Sequence, residues 1–591
     1  MNLSTLDWSI IGAFFVVSLM IGIVVARQSG KSASDFFLSG RNMPWWLLGI
    51  SMVATTFSAD TPNLVTDLVR KDGVAGNWVW WAFLITGMMT VFIYAKLWRR
   101  SGILTDLEFY ELRYSGKEAA MLRGFRALYL GVLFNVMVMA AVCLAAIKIG
   151  STLLGISPMQ TLLISAVVTV AYSAIGGLKG IILTDFFQFF LAMLGTVWAA
   201  YIIVNLPQVG GLENLLIHDN VVGKLNFLPD PKDKDAMLSL LIIPIAVQWW
   251  AAYYPGAEPG GGGYIAQRML AAKDEKNAVI ATLLFNIMHY AIRPFPWIII
   301  ALCSLIVFPD LASIERAFPA IDKSIIDDDL AYSAMLTYLP SGLLGLVIAS
   351  LIAAFMSTIS THLNWGSSYI VNDFYKRFIN QEASEKKMVF IGRVSTVVLM
   401  FLAAVLALNL TSAKAAFDII VLMGAGTGLL FILRWFWWRI NAYSEITAMV
   451  VSFIVALWFK FVWVGKFAGS TELLLSVCIT TASWIAVTLI TQPSDRKTLI
   501  NFYRLIKPHS YGWQPVIREG ITEKTLSPTD VTVGKLPTEL LAMFAGIFLV
   551  YGLLFTIGYA LYGNLINMGI GIVVTAVSVI VMMMAWKKQD T

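Results

Sequence analysis

The sequence predicts an all-α protein that crosses a membrane many times, with the backbone broken inside two of its spans. Three observations predict it. The 591 residues are 58% hydrophobic and only 13% charged, with a mean hydropathy of +0.76, which places the chain among multi-span membrane proteins. Apolar runs of spanning length, about 20 residues each, recur from end to end. Two of these runs are interrupted, by Ser58-Ala-Asp-Thr-Pro-Asn63 and by Tyr253-Tyr-Pro-Gly-Ala-Glu-Pro-Gly-Gly-Gly-Gly-Tyr264. A helix facing lipid all round does not tolerate such breaks.

Taken in order, the apolar runs predict about fifteen spans: residues 7–27, 46–70, 77–98, 125–153, 158–176, 182–205, 238–257, 277–308, 340–371, 388–410, 416–437, 443–465, 472–491, 538–562 and 564–586. No basic region or small-residue cleavage site precedes the first run, so it is expected to be a retained helix. Alternate loops carry the basic residues, among them Arg27, Lys31 and Arg41, then Arg99, Arg100, Arg113, Lys117 and Arg123, then Arg268, Lys273 and Lys276. Lys376, Arg377, Lys386 and Lys387 follow, and then Arg496, Lys497, Arg504 and Lys507. The positive-inside rule puts these loops in the cytoplasm, the N-terminus outside and the Lys587-Lys588 tail inside. The net charge of +6 is therefore an orientation signal, and no nucleic-acid patch is expected. Cys143, Cys303 and Cys478 lie in apolar runs without disulfide or metal spacing, as packing residues would. The polar stretch 492–537 is too short and too poor in apolar residues for an enzyme domain and is expected to be a cytoplasmic linker with some local helix.

Proline removes a backbone donor, and a run of glycines cannot sustain helical order. Carbonyls freed at membrane depth are tolerated where they line a cavity or a binding site. The two breaks stand five spans apart in opposite orientations, which matches inverted five-helix repeats, spans two to six and seven to eleven. A kink or a loop at a helix end would explain either break alone. The paired positions favour the architecture of a secondary transporter.

The ninth run places four hydroxyls in five positions, Ser357, Thr358, Ser360 and Thr361. Ser357, Ser360 and Thr361 share one side of a helix, and Thr358 points about 100° away from Ser357. Two adjoining oxygen clusters can form, suited to a cation. The alternative is that the hydroxyls bond back to their own helix and allow close packing.

These residues resemble the sodium:solute symporter family over roughly residues 5–490. The resemblance rests on Asp35-Phe-Phe-Leu-Ser-Gly-Arg41, Gly176-Gly-Leu-Lys-Gly with Thr184-Asp-Phe-Phe-Gln188, Gln267-Arg-Met-Leu-Ala-Ala-Lys273, and the hydroxyl run ending in Asn372-Asp-Phe-Tyr375. It implies a LeuT-like 5+5 inverted-repeat fold with one extra N-terminal and about four extra C-terminal helices. The chain would then divide into an N-terminal helix and loop (1–45), a first repeat (46–210), a second repeat (238–438), two added helices (439–491), the linker (492–537) and two C-terminal helices (538–591).

The resemblance also implies ligand sets. The carbonyls of Ala54, Phe57 and Ala354 with the hydroxyls of Ser357 and Thr358 would hold one sodium ion. Such neutral oxygens suit a hard cation that must also be released. Asp185, Ser357, Ser360 and Thr361 would hold a second. An acid entering an apolar run is a functional candidate, although Asp185 could also serve as a helix cap. By motif register the substrate positions of the family's sugar carriers fall on Thr56, Thr61, Asn77, Trp80, Ala251, Tyr254 and His289, with Tyr254 closing the site toward the cytoplasm. Glu258 is a further candidate substrate-binding residue, and Arg293 either faces the solute or pairs with a carboxylate such as Asp60 or Glu258. Most acid and amide residues that grip galactose in those relatives are replaced here. Aromatic faces suit a sugar ring or an organic cation, whereas His289 and Arg293, four apart, suit an acidic solute.

The expected function is sodium-coupled symport of a small organic solute, a sugar or sugar derivative ahead of an amino acid or carboxylate. The protein is expected in the plasma membrane, as in the bacterial inner membrane, with sodium, a small solute and the lipid bilayer as its partners. A solute sensor of the same fold and a sodium-leak channel are the competing classes. No nucleophile, metal cluster or acid/base pair points to an enzyme.

Overall fold

The computed structural model describes the chain except residues 1–2, 30–31, 251–258, 320, 322, 324–325, 411–423, 532–534 and 591. Among the described residues, eleven helices are long and apolar enough to cross a membrane, from Thr5–Val25 to Leu565–Lys588. The four expected spans outside that set are broken or only partly described. The second is broken into Trp45–Thr56 and Thr61–Asp72. The fifth includes the shorter apolar helix Pro158–Val167. The seventh is broken between its halves, and part of the eleventh lies outside the described residues.

The break in the second span follows from its local chemistry. Phe57 leaves helical geometry at φ −90, ψ 76, while its N–H still bonds the carbonyls of Val53 (2.9 Å) and Ala54 (3.1 Å). Helix resumes at Thr61 with Pro62 in the first turn, where the missing N–H costs nothing. Between the fifth and sixth spans the chain turns at Gly177 (φ 56, ψ −166). A Cβ there would lie 2.8 Å from the Phe36 carbonyl oxygen, so glycine answers both the backbone angle and the close approach.

The seventh span differs from expectation. Its first half runs through Met237–Ile242 and Ile243–Ala246. A second half-helix, Gly263–Ala271, follows the glycine run and is buried along its whole length. Counting apolar length does not find this element, because it has nine residues and carries Gln267 and Arg268. Tertiary contacts hold it instead. Its first N–H, from Gly263, donates to the Asp106 carboxylate at 2.9 Å, and Tyr369 donates to the same carboxylate. Gln267 donates to the Phe37 carbonyl and to Asn364, and Met43 bridges to Ala272 beyond its C-terminus.

The hydroxyl-bearing helix, Leu343–Ser368, continues as a wider turn to Ile379. Its start is capped from the first span, where the buried Asp7 carboxylate accepts from the N–H groups of Gly342 (2.7 Å) and Gly345 (2.8 Å). The central helix is thereby fixed at one end by the extra N-terminal helix.

The stretch 492–537, expected as a cytoplasmic linker with some local helix, does contain helix and is also docked. It forms helices Arg496–Ile506 and Gln514–Thr522, packed against the bundle. Leu499, Phe502, Tyr503 and Ile506 recur at i, i+3, i+4 and i+7 and are all buried. Trp513 packs on Phe502 and Tyr503, and its indole donates to the Trp435 carbonyl at 2.9 Å. The Arg113 guanidinium lies over Trp513 (4.8 Å) and Phe502 (5.3 Å), and donates to the carbonyls of Arg434, Trp437 and Trp438. A few well-spaced apolar residues suffice to dock a segment whose overall composition is polar.

Candidate functional site

Where the hydroxyl helix crosses the broken second span, Thr358 Oγ1 donates to the Thr55 carbonyl at 2.8 Å. Thr55 stands next to Ala54 and two residues before Phe57, whose carbonyls were expected in the first sodium site. Ala54, Phe57, Ala354, Ser357 and Thr358 are all buried. The oxygens expected there, three carbonyls and the hydroxyls of Ser357 and Thr358, are all neutral. Such a set fits sodium by charge and hardness.

Ser357, one residue earlier, faces a different neighbour. Its hydroxyl donates to Asp185 Oδ1 at 2.6 Å, while Ser51 donates to Oδ2 at 2.5 Å. The divergence of Ser357 and Thr358 follows from their helical angle. Arg268, from the buried half-helix, completes this second cluster. Its Nε donates to Ser51 Oγ (3.0 Å), one Nη to the Tyr264 carbonyl (3.3 Å), and the other Nη to Thr361 (2.8 Å) and Thr55 (3.0 Å). The same Nη approaches Asp185 Oδ2 only to 3.5 Å. Carboxylate and guanidinium are thus joined mainly through hydroxyls rather than by a direct bidentate pair. Both are fully buried.

Of the expected second sodium ligands, Asp185, Ser357 and Thr361 converge. Ser360 turns its hydroxyl back to the Ser357 carbonyl at 3.1 Å, as the alternative of local back-bonding predicts for this one residue. The sequence reasoning missed Ser51, Thr55 and Arg268. A signal existed: Arg268 follows a membrane break, and a buried arginine there requires a carboxylate partner.

The third group surrounds Thr56. His289 Nδ1 lies 2.9 Å from Thr56 Oγ1, and Arg293 donates to Thr56 Oγ1 (3.2 Å) and to His289 Nε2 (3.3 Å). Since arginine only donates, Nε2 accepts and Nδ1 carries the proton toward Thr56, a tautomer assigned from the network. Thr56 in turn donates to the Val53 carbonyl at 3.0 Å. Trp80 stacks on Tyr290 (5.8 Å) and meets His289 edge-on (5.7 Å). Asn77 orients that indole by accepting from Trp80 Nε1 at 2.9 Å. Arg293 lies over Trp297 at 5.4 Å, and Trp297 stacks on Phe57 at 5.1 Å. Thr61 reaches the Thr56 carbonyl at 3.5 Å. The five described substrate positions therefore gather around the break in the second span. Ala251, Tyr254 and Glu258 lie outside the described residues.

A family model described as the sodium:solute symporter family matches residues 36–452. The chain is 28% identical over 478 residues to a sodium/glucose cotransporter of Vibrio parahaemolyticus, covering 78% of this chain and 86% of that one. It is 25% identical over 429 residues to a sodium/myo-inositol cotransporter of Mus musculus, covering 66% and 57% of the two chains. Among solved structures, a Na+-coupled sialic acid symporter in a substrate-bound outward-open state superposes with a TM-score of 0.67 at 19% identity. That match covers 84% of this chain and 100% of the other. At that identity the likeness speaks for the fold.

Proposed function

The chain belongs to the sodium:solute symporter family, and from that premise we propose that it carries a sugar or sugar derivative inward with two sodium ions by alternating access. Sodium-coupled symport across a membrane is the coarser statement, common to the family and to the cotransporters it resembles. The observation that carries the finer reading is the Thr358–Thr55 contact, which joins the hydroxyl helix to the broken second span beside the Ala54 and Phe57 carbonyls. A sodium ion bridging Ala54, Phe57, Ala354, Ser357 and Thr358 would hold these two elements together and favour the outward-open form. Its loss to the cytoplasm would loosen them and release the solute.

The second ion would use Asp185, Ser357 and Thr361, with Ser360 one rotamer away. Each charge moved down 100 mV is worth about 2.3 kcal/mol, so a second ion doubles the electrical drive on the solute.

For the solute, Trp80 offers an aromatic face, and Thr56, Thr61 and His289 offer hydrogen bonds, a combination suited to a polyhydroxy ring. Tyr254 and Glu258 complete the proposed set, with Tyr254 closing toward the cytoplasm. Glucose and myo-inositol carriers among the relatives support the sugar reading. The Arg293–His289 pair favours a second reading, a carboxylate or amino acid. We place the N-terminus outside and the tail inside by the distribution of basic loops, in a bacterial inner membrane.

The test is uptake into reconstituted vesicles, after glucose, myo-inositol, sialic acid, amino acids and dicarboxylates have been screened for thermal stabilisation in sodium against potassium. Ser357→Ala with Thr358→Ala should abolish sodium-dependent uptake of whichever solute stabilises. Uptake that survives the double substitution unchanged refutes the first sodium site.

A further inference from the structure

The fully buried Arg268 guanidinium makes contact with the two groups on which a second sodium ion would have to sit, Thr361 Oγ1 at 2.8 Å and Asp185 Oδ2 at 3.5 Å. We propose that Arg268 is a tethered cation that competes with the second sodium ion for Asp185 and Thr361, so that the ion binds there by releasing the Gly263–Ala271 half-helix. This rests on the two-sodium reading above.

The geometry supports an exchange rather than coexistence. Asp185 is the one carboxylate in the cluster, and its two oxygens already take hydrogen bonds from Ser357 (2.6 Å) and Ser51 (2.5 Å). A single negative charge at a fully buried site compensates one cation, and a second one beside it would be repelled. Meanwhile the direct link from Arg268 to Asp185 is the long one, and its short bonds go to the neutral oxygens of Ser51, Thr55 and Thr361. A guanidinium held mostly by hydroxyls can yield its place on the carboxylate more readily than one in a bidentate pair.

The consequence lies in what Arg268 holds. Its bonds tie the half-helix at once to Ser51 and Thr55 of the second span and to Thr361 of the hydroxyl helix. The remaining anchors of this half-helix, Asp106 at its start, Gln267 to Phe37 and Asn364, and the Met43–Ala272 bridge, lie on other partners and are untouched by an ion at Asp185. Ion entry would therefore loosen one identifiable anchor of the segment that follows the second break. By linkage, whatever Arg268 costs the ion in affinity the ion costs the half-helix in hold.

The experiment uses the full-length protein in nanodiscs, titrated with sodium chloride against choline chloride at constant ionic strength, read by thermal stability and by hydrogen exchange of peptides covering 263–271. Wild type should show a sodium-dependent phase that Asp185→Asn removes, and sodium should speed exchange in 263–271. Arg268→Gln should move the midpoint of that phase to sodium concentrations lower by about tenfold or more, the scale of ordinary coupling between sites. Arg268→Lys, which keeps the charge, should stay near wild type. A midpoint unmoved in Arg268→Gln overturns the competition while leaving the second sodium site standing. A titration that Asp185→Asn leaves unchanged removes the second site and the competition together. If Arg268→Gln does not fold, wild-type exchange decides: equal rates in sodium and choline overturn the proposal.

Discussion

Two ion clusters lie along the hydroxyl-bearing helix and its continuation, one fully buried and one shading into solvent, and they are built on opposite rules. Around Asp185, among the described residues, there is one carboxylate and one guanidinium, both fully buried and 3.5 Å apart, with Ser51 bonding both, Ser357 the carboxylate, and Thr55 and Thr361 the guanidinium. Around Asp373, farther along the same helix, the charges touch. Arg123 donates to Asp373 at 2.7 Å and to Glu111 at 2.6 Å, and lies near Glu108 at 3.3 Å. Arg377 makes a fork to Glu111, and Thr105 caps Asp373. Exposure rises across this second cluster from 0% at the Asp373 side chain to 37% at Arg377. A direct, redundant network that shades into solvent is a staple. A fully buried pair linked largely through hydroxyls is where we propose that one cation is traded for another.

The comparison can be broken most sharply at Asp185. Asp185→Ala leaves Arg268 buried without a counter-charge, and removing one partner of a buried pair typically costs about 3–5 kcal/mol. We expect a large fall in apparent melting temperature, and a smaller one in Asp185→Asn, which loses the same charge but keeps the shape and one hydrogen-bond acceptor for Ser51 or Ser357. Equal melting of the two variants would mean that the lost charge, and not the lost hydrogen bonds, sets the cost.

A smaller effect is expected from Arg123→Met. Glu111 keeps its fork to Arg377 and Asp373 keeps Thr105, while Glu108 and Glu111 are partly solvated. The expected loss is about 2 kcal/mol, between the values for exposed and buried pairs. The same apparent melting temperatures measure it, and a loss as large as that of Asp185→Ala would erase the distinction between the clusters.

The smallest effect is a pH dependence at Glu111, on the short helix Glu108–Arg113 between spans. Burial pushes its carboxyl up, and the hydrogen bonds and charges of Arg377 and Arg123 outweigh this, leaving it below its ordinary value of 4.5. A depressed carboxyl contributes stability that is present above pH 4.5 and lost as pH falls through its lowered value. Glu111→Gln should flatten that part of the stability profile, and an unchanged profile below pH 4.5 would show that Arg123 and Arg377 do not need this carboxylate.

The hydroxyl run and the break in the second span were legible because each is written in adjacent residues. Ser357, Thr358 and Thr361 sit within one turn or so of each other, and Pro62 cannot continue a helix that began before it, so it marks a fresh start. Asp185 was legible because a carboxylate in an apolar run is conspicuous. Arg268 was not, since its half-helix is too short to register as a span. Nor was the docking of 492–537, whose five buried residues from Leu499 to Ile506 stand in a stretch of polar composition.

What the sequence by itself determined is therefore everything set by local patterns: a many-spanned helical chain, two matched interruptions and a cluster of hydroxyls on one helix face. Hydrophobic length and proline act through nearest neighbours along the chain, so they can be read without coordinates. Only the tertiary structure decided that Ser357 turns to Asp185 while Thr358 turns to Thr55, and that Arg268 reaches across to the same carboxylate. Those choices join residues 51, 185, 268 and 357, and which charge meets which across such separations is settled by packing rather than by sequence spacing.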